Sequence, residues 1–133
     1  MSEEKKIKVV LLEPGKLART AEIGTSIEDL QNAVDGLIEP FFPFEEQVCI
    51  VCNDEGKING MLPNRSVKNK DGVMVDFIFG PAFICDCRGE SFDSLSDEQI
   101  ARYTKMFRYP EHLARLNGKL IGIPFNPQRE HER

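Results

Sequence analysis

The chain has 133 residues, 41% apolar and 29% charged, the balance of a soluble globular domain rather than a disordered or membrane-embedded chain. With 22 acids against 17 bases the net charge is −5, which argues against direct nucleic-acid binding. No run of about 18 apolar residues occurs and the charged Met1 to Lys8 segment is no signal peptide, so a cytoplasmic protein without membrane contact is expected.

The first third alternates strand and helix signals. Ile7 to Leu12 is rich in β-formers and is closed by the turn dipeptide Pro14-Gly15; Leu17 to Ile23 is its expected hairpin partner. Thr25-Ser26-Ile27-Glu28 offers a capping box with Thr25 as N-cap, and Ile27, Leu30, Val34 and Leu37 follow at helical spacing. This predicts a helix over 26–35, with Gly36 at its C-terminal cap.

The middle is β. Leu37 to Phe44 is extended, but Pro40 and Pro43 lack an N–H, so it belongs at a sheet edge or is irregular. Gln47 to Cys52 is a continuous apolar run, the mark of a strand covered on both faces. Asn53 to Gly60 carries turn chemistry, as does Asp71-Gly72. Val73 to Phe79 and Ala82 to Cys87 form one bent strand or two short ones about Gly80-Pro81. Farther on, Ser96-Asp97-Glu98-Gln99 is a second capping box, opening a helix with the stripe Ile100, Tyr103 and Phe107. Pro110 is expected to open a short helical turn ended by Asn117-Gly118, with a final strand over Lys119 to Phe125. The reading is α+β: a single domain over 7–127, mainly antiparallel sheet with two or three helices packed on it. Residues 1–6 are expected to be a flexible N-terminus and 128–133 a disordered tail.

Few residues point to catalysis. Cys49 and Cys52 form C-x2-C and Cys85 and Cys87 form C-x-C, enough thiols for tetrahedral zinc. In a strand, however, residues three apart point to opposite faces, so Cys49 and Cys52 do not converge. No metal and no cofactor is expected, and the thiols are expected to be buried and reduced. His131 lies in the tail and His112 follows Pro110-Glu111 at the surface; no nucleophile elbow, zinc-protease, phosphate-loop or dinucleotide signature occurs. The chain is therefore not expected to be an enzyme.

Two polar regions remain. From Thr20 to Gly56 there are nine acids and no base, either solvated faces or an acidic patch, with Glu39, Glu45, Glu46, Asp54 and Glu55 the candidates for a DNA mimic. The densest polar cluster runs from Asn53 to Arg65. Within it Lys57, Asn59, Asn64 and Arg65 supply donors for a small anionic ligand or a partner protein, unless they tie down their own loop. Phe41, Phe42 and Phe44 are either inward core residues or an exposed apolar strip for a partner, and the core is the expectation.

The stretches Val9 to Lys16, Cys52 to Lys57 with Asn59-Gly60 and Asn64-Arg65, Ile78 to Ile84, and Ser94 to Ile100 resemble domain-of-unknown-function family 3846 (DUF3846). The resemblance spans about residues 6–108. It implies a small protein of a phage, plasmid or conjugative element, with no activity attached to the name. The Phe41 to Phe44 segment and everything after Leu113 depart from the family pattern. Together these point to a non-enzymatic binding protein of a mobile element, a host-takeover or counter-defence factor acting on a small anionic ligand or a host protein. The alternatives are an acidic DNA mimic and a structural or regulatory protein with no small-molecule site.

Overall fold

The computed structural model describes residues 5–130. In chain order the elements are β1 (Lys6–Leu12), β2 (Arg19–Gly24), α1 (Ile27–Val34), β3 (Ile38–Phe41), β4 (Val48–Asn53), β5 (Pro63–Lys68), β6 (Met74–Phe79), β7 (Ala82–Asp86), α2 (Asp97–Met106), β8 (Glu111–Leu116), β9 (Lys119–Pro124) and α3 (Pro127–Glu130). Five strands form an antiparallel sheet in the order β2-β1-β7-β4-β3, and two separate hairpins pair β5 with β6 and β8 with β9.

The three central strands are buried almost throughout, and strand parity splits their side chains between two cores. Val10, Leu12, Val48, Ile50, Ala82 and Ile84 point to one face, where they meet Val67 of β5, Ile78 of β6, Tyr103 of α2, and Leu95 and Phe107 on either side of that helix. Ile7, Val9, Leu11, Cys49, Val51, Phe83 and Cys85 point to the other, covered by Leu30 and Val34 of α1. The sheet is thus sandwiched between α1 on one side and α2 with the β5–β6 hairpin on the other. The α+β, mainly antiparallel architecture expected from the sequence is present. Among the described residues no helix is long and apolar enough to cross a membrane.

Several local expectations need correction. Ser26, not Thr25, caps α1: its hydroxyl accepts from the Asp29 N–H, while the Thr25 hydroxyl donates to the Lys5 carbonyl. The left-handed residue ending that helix is Asp35, with Gly36 following it. Ser96 and Gln99 do form the capping box of α2. Residues 111–116 are not helical. They pair in register with 119–124 through a two-residue turn, where Asn117 (φ 51°) and Gly118 (φ 80°) both adopt left-handed conformations. Such a turn matches the strand twist of a hairpin, so Asn-Gly here joins two strands instead of ending a helix. Gln128 to Glu130, expected in a disordered tail, belong to α3, and 131–133 lie outside the described residues. Lys6, assigned to a flexible N-terminus, already opens β1, and residues 1–4 are likewise outside.

Candidate functional site

The expected binding cluster does not gather at one place. Asn64 and Arg65 belong to β5, a strand that the turn-rich sequence concealed, and both are fully buried. The Asn64 side-chain amide donates to the carbonyls of Leu12 (3.0 Å) and Gly80 (2.8 Å). Gly80 has φ 81°, and a Cβ there would lie 2.7 Å from the Met61 sulfur, so this bend needs glycine. Arg65 donates from Nε to the Phe107 carbonyl (2.6 Å), from Nη1 to the Glu13 carbonyl (3.2 Å) and to Asn64 Oδ1, and from Nη2 to the carbonyls of Lys16 (2.6 Å) and Arg108 (3.4 Å). A guanidinium has five N–H groups, and each has an acceptor in the chain itself. Burial pulls its pKa down to about 10, against the opposing pull of the Glu111 and Glu13 carboxylates. Arg65 and Asn64 are therefore fastenings between β5, the β1–β2 turn and the end of α2.

Lys57 and Asn59 are exposed in the turn between β4 and β5. Lys57 pairs with Asp76 (2.9 Å) on the rim of a cleft of about 230 Å³ that Glu39, Asp54 and Glu55 also line. The other two members of the expected acidic patch, Glu45 and Glu46, lie on a different cleft. The five residues thus fall into two groups. Of the nine acids in the run, Glu28 and Asp29 sit on α1 and Asp35 at its end, against the opposite sheet face from α2.

The larger cleft, about 630 Å³, lies between Pro43 to Glu46, the C-terminal half of α2, and β5 with the turn that follows it. One wall is aromatic and apolar. Phe44 packs against Tyr103 (ring centroids 4.7 Å apart) and edge-on to Phe107 (6.2 Å), with Met106 exposed beside them. The facing wall is polar: Ser66, Lys68, Asn69 and Lys70, with Glu111 from β8. The Ser66 N–H donates to Glu111 Oε1 (3.0 Å), but the Ser66 hydroxyl is buried and has no hydrogen-bond partner.

Glu46 ties the first wall together. Its carboxylate accepts from the Tyr103 hydroxyl, from Arg102 Nη1 (2.6 Å) and from Gln99 (3.3 Å). The Tyr103 hydrogen bond leads in holding it below the usual carboxylate range, helped by Gln99 and Arg102. Burial, and then the adjacent Glu46, push the Tyr103 phenol up. Glu45 makes only a loose pair with Lys70 (3.8 Å), both ends largely exposed.

The cysteines obey strand parity. Cys49 and Cys85 face α1, 3.8 Å apart at their sulfurs, and Cys87 packs on the same side, whereas Cys52 lies on the opposite face. Burial pushes the Cys52 and Cys87 thiols up to about 11. Among the described residues no group of three or more His, Cys, Asp or Glu is arranged to hold a metal ion. His112 is exposed and stacks on Phe125 (3.9 Å).

Sequence reasoning named Glu45 and Glu46 but missed Ser66, Lys68, Tyr103 and Met106 as cleft residues. They come from segments far apart in the chain, and no local motif links them. The family model described as Domain of unknown function (DUF3846) matches residues 7–108. Searches of curated proteins and of solved structures find no match.

Proposed function

The chain belongs to the DUF3846 family, and from that premise we propose that it is a non-enzymatic binding protein which takes a small ligand in the 630 Å³ cleft. The observation that carries this reading is the pairing of a preformed apolar wall with a buried, unpartnered Ser66 hydroxyl across from it. Ligand sites combine an apolar lining with a few placed polar groups, and a buried hydroxyl without a partner is rare enough to call for one. The absence of nucleophile and phosphate-loop signatures from the sequence supports binding without turnover. The biological setting in this proposal is the cytoplasm of a bacterial host, where a protein of a mobile element would sequester or sense the ligand in host takeover or counter-defence. Native mass spectrometry of the protein purified from bacteria tests the site. A co-purifying small molecule is expected, and Met106→Trp, which fills the cleft from an exposed position, should exclude it. A bound molecule that Met106→Trp leaves in place overturns the assignment.

The DNA-mimic reading has weaker support. A mimic needs one continuous acidic surface, and here Glu46 is held by Arg102, Tyr103 and Gln99 while α1 carries its acids over the other sheet face. Charge reversal at Glu45 and Glu46 with unchanged inhibition of a basic target would dispose of it.

A further inference from the structure

We infer that the occupant of the large cleft is a nucleoside monophosphate, an inference that rests on that cleft being the ligand site. The first ground is shape. Phe44 packs on Tyr103 and edge-on to Phe107, both buried beneath it, so half-buried Phe44 and exposed Met106 form the accessible platform over a rigid aromatic base. A wall of packed rings with a flexible thioether beside it suits a flat aromatic body, which stacks with little loss of side-chain freedom.

The second ground is the polar wall facing that platform. The Ser66 hydroxyl can donate or accept, the Glu111 carboxylate accepts, and the Asn69 side chain offers an amide. A hydrocarbon ligand would leave the already buried Ser66 hydroxyl without a partner and would cover Glu111 without adding a donor to it, which is unfavourable. A ring edge carrying both donors and acceptors, as a nucleobase does, satisfies the wall. A small aliphatic zwitterion could meet the polar groups but would leave the aromatic platform uncovered.

Charge sets the third condition. The lining holds three bases, Lys68, Lys70 and Arg102, and three acids, Glu45, Glu46 and Glu111. Arg102 is already engaged by Glu46 and Glu98. Lys68 is exposed and no ion pair or hydrogen bond engages its ammonium among the described residues, and the long Lys70–Glu45 pair can open. Two available ammonium groups at the mouth match one phosphate. A di- or triphosphate would carry its extra charge past three carboxylates, so the balance selects the monophosphate.

Calorimetry on the full chain decides this, with AMP, GMP, CMP and UMP, their nucleosides, and inorganic phosphate as probes. At least one monophosphate should bind about tenfold tighter than its own nucleoside or phosphate alone, with affinity falling as salt rises. Ser66→Ala should weaken that binding about five- to tenfold without lowering the melting temperature, since the hydroxyl has no partner to lose. Lys68→Ala should erase most of the advantage of monophosphate over nucleoside, while Lys119→Ala at the far end of the β8–β9 hairpin should change nothing. Failure of all four monophosphates at millimolar concentration, or binding that Ser66→Ala leaves untouched, overturns the inference. If a co-purifying molecule excluded by Met106→Trp is then found to be something else, the cleft remains the site and only its ligand class is wrong. If nothing binds at all, the cleft assignment falls with it.

Discussion

Replacing Arg65 by lysine should destabilise the fold by about 2–3 kcal/mol, through hydrogen bonds lost one by one. The guanidinium reaches the carbonyls of Glu13, Lys16, Phe107 and Arg108 and the side chain of Asn64 from one buried position. An ammonium has three N–H groups on one atom and cannot fork across acceptors that lie in three segments, so at least two lose their donor. A buried acceptor left without a donor costs about 1–3 kcal/mol, and the lower end applies where water can reach, as at the part-buried carbonyls of Glu13, Lys16 and Arg108. Two to three such losses give the figure above. For a domain of this size that is a fall of roughly 6–12 °C in melting temperature. Arg65→Met removes every donor and the cation near Glu111, while the Glu13 carboxylate keeps Lys16 and Arg19, so about 3–5 kcal/mol is expected. Urea titration measures both, with the denaturant slope unchanged. An Arg65→Lys protein within about 0.5 kcal/mol of the parent would refute the account. So would one of parental stability that had lost ligand binding, because no N–H of this guanidinium is left for a ligand.

Three other outcomes follow from the same structure. The carboxylate of Glu46 has a folded pKa below its unfolded value, so its stabilisation is present above the usual carboxylate range and is lost as pH falls through the folded pKa; Glu46→Gln should melt earlier than the parent at neutral pH, and thermal scans across pH should show the gap closing in acid. With Cys52 and Cys87 near 11 and the other two thiols buried, iodoacetamide at pH 8 should alkylate the native protein far more slowly than the urea-unfolded chain, by mass spectrometry; equal rates would contradict the burial. Gly118→Val forces a β-branched residue to φ near +80°, costing about 1–3 kcal/mol locally; hydrogen exchange should show β8 and β9 losing protection while β1, β4 and β7 keep theirs.

What could be read from the sequence was whatever is encoded by neighbours in the chain. The apolar runs of β1 and β4, the Pro-marked edge strand β3 and the Ser96 capping box all declare themselves within a few residues. β5 did not, because Pro63-Asn64-Arg65-Ser66 has the composition of a loop. Its polar side chains are tolerated in the interior only because partners 16 to 52 residues away satisfy Asn64, and partners 42 to 52 away most of Arg65. Asn117-Gly118 failed differently: the dipeptide ends helices and turns hairpins alike, and Pro110 tipped the balance toward a helix. The Cys49 and Cys52 divergence needed only the strand period and is seen in the fold.

The misplaced residue and the missed cleft are physically connected. Arg65 binds the carbonyls of Phe107 and Arg108, where α2 ends, while its neighbour Ser66 faces the cleft across from Tyr103, Met106 and Phe107. One guanidinium thus fixes the end of the helix that forms the apolar wall to the strand that forms the polar wall. Glu111 adds a second fastening, accepting from the Ser66 N–H and so holding β8 against β5. Residues 109–126 lie beyond the matched family region, yet through Glu111 they supply part of the polar wall. A rigid cleft needs fastenings that are themselves fully engaged, because any donor free to meet a ligand is also free to let the walls drift. The donors that made Arg65 look like a ligand contact are the ones that set the spacing of the cleft beside it.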